Sequence, residues 1–204
     1  MQINVISSNE IQEVDENTFN VAFPSSFIPT FPHQLSSLHF SKNDGVKVVF
    51  EIGNEESTAT RQDTQQQILL FPYLKFLFLE EMEKMTHVWK CDNWNTFLFL
   101  QKQPPQSSFH NLITIIMLNC HKITYLFSPI MAKLFPNLEN INILGCNGIE
   151  EVVSNRDDKS EEMTASTYTH TTTTTNFFPR LQSLHFEYLD SLKHIGGVHD
   201  ESKF

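Results

Sequence analysis

Two cysteines and a neighbouring histidine have the types and spacing that could do chemistry in this chain. Cys120 is followed by His121, and a thiol beside an imidazole could act as a nucleophile or bind a metal ion. However, Cys120 and Cys146 occupy the same offset in adjacent copies of a repeated apolar pattern, which is described below. A cysteine at that offset ordinarily packs in the turn after a strand. We therefore predict that both cysteines are structural.

A second spacing that could bind a metal ion is that of His87 and Cys91. The two residues are four positions apart, so on a helix they would share one face. A structural zinc site requires four ligands, and no second pair follows at a recognisable spacing. We therefore expect no metal site at these residues.

The acidic segment 150–162 is a third candidate, because carboxylates bind calcium. It holds six carboxylates against Arg156 and Lys159, but it lacks the alternating Asp/Asn, central Gly and closing Glu of a calcium loop. We interpret it as a solvated loop. The phosphate loop, the hydrolase nucleophile elbow and the zinc-protease motif are also absent from the sequence. The sequence thus predicts neither an enzyme nor a cofactor in this chain.

Composition excludes several classes of partner. The 204 residues carry a formal net charge of −10 and show no cluster of Lys or Arg, so we expect no nucleic-acid binding. The longest apolar stretches, such as 113–118, are far shorter than the roughly 20 residues of a membrane-spanning helix. Three widely spaced cysteines make no disulfide framework, which indicates a reducing compartment. We predict the cytoplasm, or the cytoplasm together with the nucleus.

The element that must position these residues is an apolar pattern that occurs five times. Each copy has leucine-type residues at offsets 0, 3 and 5, a small or apolar residue at offset 8, and apolar residues at 11 and 14. This is the spacing of a leucine-rich repeat. The sequence therefore predicts an α/β solenoid, a leucine-rich-repeat horseshoe segment with a parallel concave β-sheet, an irregular or short-helical convex side and long polar insertions. The copies begin at Leu35, Leu74, Leu112, Leu138 and Leu181.

The copies divide the chain into three parts. We predict an N-terminal linker or partial repeat at 1–30, the repeat domain at 31–197 and a polar tail at 198–204. The copies start 26 to 43 residues apart, and only the shortest spacing is ordinary for such a repeat. The longer spacings predict polar insertions, near 53–67, 90–108 and 154–176. Neither end shows a polar cap, so the chain resembles a piece of a longer array.

Phenylalanine precedes every copy by three or four residues. Four copies begin with Phe-Pro and the third with Phe109-His110. Proline has no donor and a fixed φ, which suits the position before a strand. We expect the phenylalanines to fill the space between coils, and those of the Phe-Pro pairs are Phe31, Phe71, Phe135 and Phe178.

The predicted strands present alternate side chains to the concave face. If offsets 3 and 5 point inward, offsets 2, 4 and 6 point outward, where the middle of the face is apolar and its flanks are polar. An exposed apolar patch usually marks a partner site. A strand register shifted by one residue, or a neighbouring domain that covers the patch, are the alternatives. The predicted protein-binding residues are Phe76, Phe78, Ile116, Leu118, Asn140, Asn142, Leu144 and His185.

Several segments resemble a known family. The Phe-Pro-x-Leu-x-x-Leu start, the Cys-x-x-Ile continuation and the segments 86–95, 122–129 and 150–158 look like the C-terminal repeats of plant nucleotide-binding leucine-rich-repeat disease-resistance proteins. The coiled-coil class is the most similar, and within it the lettuce resistance-gene-candidate type. The similarity covers most of residues 31–197.

The resemblance implies a function in recognition. In that family the repeat region senses pathogen effectors or guarded host proteins and restrains an ATP/ADP-switching nucleotide-binding domain. This chain contains neither the coiled coil nor that domain, so it would keep only the sensing and autoinhibitory surface and would bind no nucleotide itself. The alternative is a repeat domain that recruits substrates for a ubiquitin-ligase adaptor or another scaffold. A phosphate loop ahead of the repeats would favour the first interpretation, and an F-box the second.

Overall fold

The computed structural model describes residues 2–6, 11–12, 20–23, 35–52, 71–91, 94, 97, 108–154 and 177–196. Within them the chain alternates between two sets of strands, one on each side of a common core. The strands are β1 (Gln2–Ile6), β2 (Ile11–Gln12), β3 (Val21–Phe23), β4 (Ser37–Ser41), β5 (Val48–Ile52), β6 (Phe76–Glu80), β7 (His87–Cys91), β8 (Thr114–Leu118), β9 (Tyr125–Phe127), β10 (Asn140–Leu144), β11 (Glu151–Val153) and β12 (Ser183–Glu187).

The first sheet is the parallel sheet that the repeat pattern predicts. Its order is β12-β10-β8-β6-β4-β1-β2, in which the five repeat strands run parallel and β1 lies antiparallel to β4. Each repeat strand covers offsets 2 to 6 of its copy, and equal offsets pair, as Leu77 does with Ile115. The parallel repeat topology confirms the predicted solenoid.

Side chains of this sheet alternate between the core and the opposite, outward face. In β4, β6, β8 and β10, offsets 3 and 5 are buried, whereas offsets 2, 4 and 6 are half-buried or exposed. A one-residue slip would reverse this pattern. The shifted register considered as an alternative is therefore wrong.

The second set of strands lies on the other side of the core. β5, β7, β9 and β11 each begin at offset 13 of their copy and pair in parallel as β3-β5-β7 and β9-β11. The carbonyl of Lys47, for example, accepts hydrogen bonds from the amides of Thr86 and His87 at 2.8 and 3.1 Å. A short 3-10 helix at Met131–Leu134 fits the short-helical side that the sequence predicts, but the strands there were not expected.

The repeated apolar positions form one continuous core. In the first four copies every residue at offsets 0, 3, 5, 8, 11 and 14 is buried. In the last copy the same offsets are only partly covered, and Leu184 and Ile195 are 37% and 45% exposed. No further described coil packs against Leu184 and Ile195, whereas the next coil buries the residues at the same offsets of the first four copies.

Aromatic side chains interlock the coils from within. Phe23, Phe50, Trp89 and Phe127 stack along the second set of strands, with ring centroids 5.4 to 6.1 Å apart. The phenylalanines that precede the copies fit between these rings, so that Phe135, for instance, lies 5.0 Å from Trp89 and 5.4 Å from Phe127. The predicted packing of these phenylalanines between coils is confirmed for the described ones, Phe71, Phe109, Phe135 and Phe178.

A left-handed residue follows each of the five repeat strands of the first sheet. The residue at offset 7 has a φ between 50° and 66° in all five copies, and only one of the five is glycine. This conformation lets its amide donate to the last strand carbonyl of the next coil, as Glu81 does to Leu118 at 2.9 Å. The ladder between coils is thereby extended by one hydrogen bond. The five residues are Lys42, Glu81, Asn119, Gly145 and Tyr188.

The predicted insertions are only partly described. The insertion near 53–67, most of that near 154–176 and the tail 198–204 lie outside the described residues. Of the insertion predicted near 90–108, Lys90 and Cys91 belong to β7, and Trp94 and Phe97 are helical residues buried in the core. Apolar burial of two large rings outweighs the polar composition of the surrounding segment.

Within residues 1–30, the described part includes strands of both sheets. β3 pairs in parallel with β5, where a preceding repeat would place its second strand. β1 instead runs antiparallel to β4, which a regular preceding repeat would not do.

Among the described residues, no helix is long and apolar enough to cross a membrane.

The burial gradient along the array yields a stability prediction. We expect Leu138→Ala, at a fully buried position, to lower the free energy of unfolding by about 2 to 5 kcal/mol. Leu181 occupies the same offset in the last copy but is only half-buried, so Leu181→Ala should cost clearly less. Urea denaturation of both variants measures the difference. Equal losses would contradict the gradient.

The left-handed residue at offset 7 predicts opposite effects on stability for two substitutions. Gly145 has a φ of 66°, so Gly145→Ala should lower the free energy of unfolding by about 1 to 2 kcal/mol. Lys42 has a φ of 53° at the equivalent offset and is exposed, so Lys42→Gly should leave stability unchanged or raise it. Thermal unfolding of the pair tests this. A destabilising Lys42→Gly together with a neutral Gly145→Ala would refute it.

Candidate protein-binding surface

The outward face of the first sheet corresponds to the predicted concave face. Because equal offsets pair across the sheet, its side chains form three rows that cross the strands about 4.8 Å apart. The offset 2 row is Ser37, Phe76, Thr114, Asn140, Ser183; the offset 4 row is His39, Phe78, Ile116, Asn142, His185; and the offset 6 row is Ser41, Glu80, Leu118, Leu144, Glu187.

All five apolar residues of the predicted surface fall together on three adjacent strands. Phe78 pairs directly with Ile116, and Leu118 with Leu144. Phe76 is 48% exposed, and the other four are half-buried. These residues, here called the apolar patch, therefore form one contiguous surface that spans β6, β8 and β10.

Polar groups border the apolar patch on the side of the first coil. The ring of His39 contacts Phe78 edge-on, with centroids 4.4 Å apart. His39 Nε2 lies 3.8 Å from Glu80 Oε2, which is too long for a hydrogen bond and is attractive only when the ring is protonated. The Glu80 carboxylate and the His39 ring therefore lie side by side at this edge of the patch.

The other predicted polar residues lie on the opposite flank. Asn140 donates to Thr114 Oγ1 across the strands at 3.4 Å, and Asn142 lies between Ile116 and His185 in the same row. His185 is exposed, and its Nε2 is 2.9 Å from Glu187 Oε1. All eight residues nominated from the sequence are therefore brought together on one face.

Sequence reasoning missed two exposed aromatic residues beside this face, Tyr188 after β12 and Tyr73 before β6. Tyr73 lies in the turn before β6 and is 55% exposed. At the same offset of the next two copies, Asn111 and Asn137 donate to a carbonyl of the preceding coil, at 2.7 and 2.8 Å. The contrast of one tyrosine with two asparagines was visible in the sequence and would have identified Tyr73.

The cysteines at offset 8 hold the turns, as predicted. Cys120 Sγ lies 3.4 Å from the carbonyl of Leu118, and the amide of Cys120 donates to Cys146 Sγ at 3.3 Å. At the same offset of the first copy, Asn43 Oδ1 accepts from the amides of Gly45 and Val46. Thiol and amide thus serve the same structural purpose in different coils.

The environment of these thiols disfavours nucleophilic chemistry. A hydrogen bond with Cys146 and burial raise the pKa of Cys120 far above its ordinary value, so the thiol stays protonated. That hydrogen bond lowers the pKa of Cys146, but both side chains are fully buried. His121 is exposed and so lies in a different environment from its neighbour.

His87 and Cys91 do not lie on a helix. They are the two ends of strand β7, where four residues span about 13 Å. A single metal ion could not bridge that distance. Within the described parts of the chain, no group of three or more His, Cys, Asp or Glu could hold a metal ion.

Comparison with known proteins places the repeats in a family. The chain matches the family described as plant disease resistance protein RPS2-like, leucine-rich repeats, in two successive stretches, residues 3–102 and 97–202. Neither a curated protein nor a solved structure matches it. The two stretches together span nearly the whole chain and agree with the parallel repeat sheet. This chain therefore belongs to the RPS2-like leucine-rich-repeat family of plant disease-resistance proteins.

Proposed function

We propose that this chain is the sensing and autoinhibitory leucine-rich-repeat part of an intracellular plant immune receptor. Within its family we assign it to the coiled-coil class, of the lettuce resistance-gene-candidate type, on the segments named above. It acts in the cytoplasm, or in the cytoplasm and nucleus. It performs no catalysis and binds no cofactor itself, and it serves as a binding surface for proteins.

The apolar patch is the observation that carries this proposal. The outward face of such a sheet meets water, and its outer rows here are otherwise serine, threonine, asparagine, histidine and glutamate. Aromatic and aliphatic side chains that cluster at the centre of such a face are the usual source of binding energy between proteins. A partner that covers the patch would remove Phe76 and its neighbours from water.

Two partners fit this surface in the proposed receptor. One is a pathogen effector or a guarded host protein, which the receptor would sense. The other is the nucleotide-binding domain of the full-length receptor, which the repeats would restrain until sensing occurs. Competition between the two for one surface would couple recognition to release, because a ligand shifts an equilibrium through its differential affinity for the two states.

The test places a charge in the patch. Phe78→Glu and Ile116→Glu should each weaken partner binding by at least about 2 kcal/mol, because the charge would be stranded in a buried interface. Both side chains are half-buried and point away from the core, so folding should persist. In plant cells that express the full receptor, loss of restraint would appear as cell death without pathogen, and loss of sensing as no response.

A matched control keeps the same charge change on the same face. Ser183→Glu introduces a carboxylate on exposed β12, away from the patch, and should alter neither response. Circular dichroism monitors the fold of every variant. Folded patch variants that respond like the parent would contradict the proposal and would place the recognition surface elsewhere.

A further inference from the structure

The two rims of the outward face differ in charge. The last residue of each repeat strand and the four residues after it, offsets 6 to 10, carry six carboxylates and three lysines over the five coils. Among the described residues of the turns before the strands, the only charged ones are Lys75, Arg180 and Glu139. We call these the C-terminal rim and the N-terminal rim. The carboxylates of the C-terminal rim are Asp44, Glu80, Glu81, Glu83, Glu187 and Asp190.

The second coil concentrates this difference. Three of the carboxylates, Glu80, Glu81 and Glu83, follow one another within four residues at the end of β6. Among the described residues, the only ion pair that any of them makes is that of Glu80 with His39, at 3.8 Å. Their negative charge is therefore left available to a cationic group from outside.

The same coil exposes aromatic rings at its other end. Tyr73 and Phe76, which are 55% and 48% exposed, are three residues apart and so at most about 11 Å apart along the chain. Tyr73 makes none of the contacts to the preceding coil that its asparagine equivalents make. Tyrosine and phenylalanine offer large contact area at low cost in side-chain entropy. Tyr73 thus extends the apolar patch from Phe76 to the N-terminal rim.

We propose that the surface binds a protein segment in which apolar side chains are followed by lysine or arginine, laid along the second coil. The apolar side chains cover Tyr73 and the apolar patch, and the cations reach the carboxylates at the end of β6 and after it. The inference rests on the proposed function and specifies the chemistry of the partner. Since β6 spans about 13 Å from Phe76 to Glu80, the two halves of the segment are separated by that length.

Charge supports this partner over an acidic or a neutral one. None of the outward positions in the three rows is Lys or Arg, and the whole chain carries −10. A like-charged partner would meet repulsion both at long range and at the C-terminal rim. A basic partner would instead be steered to the face by the net charge and oriented on it by the carboxylates.

The experiment uses two synthetic peptides that differ only in charge. One has Leu-Trp-Leu, a glycine and three lysines, and the other has glutamates in place of the lysines. Fluorescence anisotropy of the labelled peptides against the full chain should show the lysine peptide binding at least about tenfold more tightly. The preference should shrink at 1 M salt, where charges are screened within about 3 Å.

Paired variants separate a local site from general attraction. Glu81→Gln with Glu83→Gln should weaken the lysine peptide about fivefold, as expected for two solvated ion pairs. The control, Glu51→Gln with Glu151→Gln, removes the same charge from the second set of strands and should have little effect. Tyr73→Ser should weaken binding about tenfold, and Tyr188→Ser, at an exposed tyrosine of the last coil, should not.

Three results would overturn the inference. These are equal affinity for the two peptides, no binding of either peptide, and equal loss in the two glutamate double variants. None of them bears on the receptor assay with Phe78→Glu and Ile116→Glu, so the proposed function can stand if this inference fails. Conversely, the lysine peptide could bind selectively while Phe78→Glu and Ile116→Glu have no effect in plant cells. That result would support the site for a basic segment and contradict the proposed receptor function.

Discussion

The rest of the structure depends on aromatic rings that lock each coil to the next. Phe50, Trp89 and Phe127 recur at offset 15 of successive copies, and the phenylalanines before the copies fill the gaps between them. Such pairs contribute about 0.5 to 1.5 kcal/mol each beyond their buried area. Among the described residues, the buried Trp89 indole N–H has no hydrogen-bond partner, a cost of about 1 to 3 kcal/mol that the stacking around it offsets.

The sequence predicted the parallel sheet because one face of each strand must be apolar at fixed intervals. Offsets 3 and 5 of the first four copies are buried as expected, and the outward residues follow from that alternation. The second set of strands was not predicted, since its residues, such as 48–50, are buried in succession and show no alternation. A short apolar run of this kind does not distinguish a strand from other buried segments. The recurrence of an aromatic residue at offset 15 was a usable signal for it.

Other features escaped prediction because they depend on contacts between coils. Trp94 and Phe97 lie in a polar segment, and only the core that receives them explains why they are buried. Similarly, lysine, glutamate and tyrosine at offset 7 do not suggest a left-handed residue, a conformation that glycine adopts most readily. At Lys42 and Glu81 the hydrogen bond to the next coil compensates for the strain. Tyr188 adopts the same conformation in the last described coil, where no such bond is made to a described residue. Local sequence preference is thus overruled wherever the next coil supplies a partner.

Nearest-neighbour packing also determines where a binding surface can be rigid. In a repeat array each coil is stabilised by the coils on its two sides, so a coil with described neighbours on both sides is held best. β6, β8 and β10 meet this condition, whereas β12 has a described neighbour on one side only and exposes Leu184. The apolar patch lies on three of the doubly supported strands. Its side chains are therefore pre-organised for a partner, and less of the binding energy is lost to ordering the surface when the partner binds.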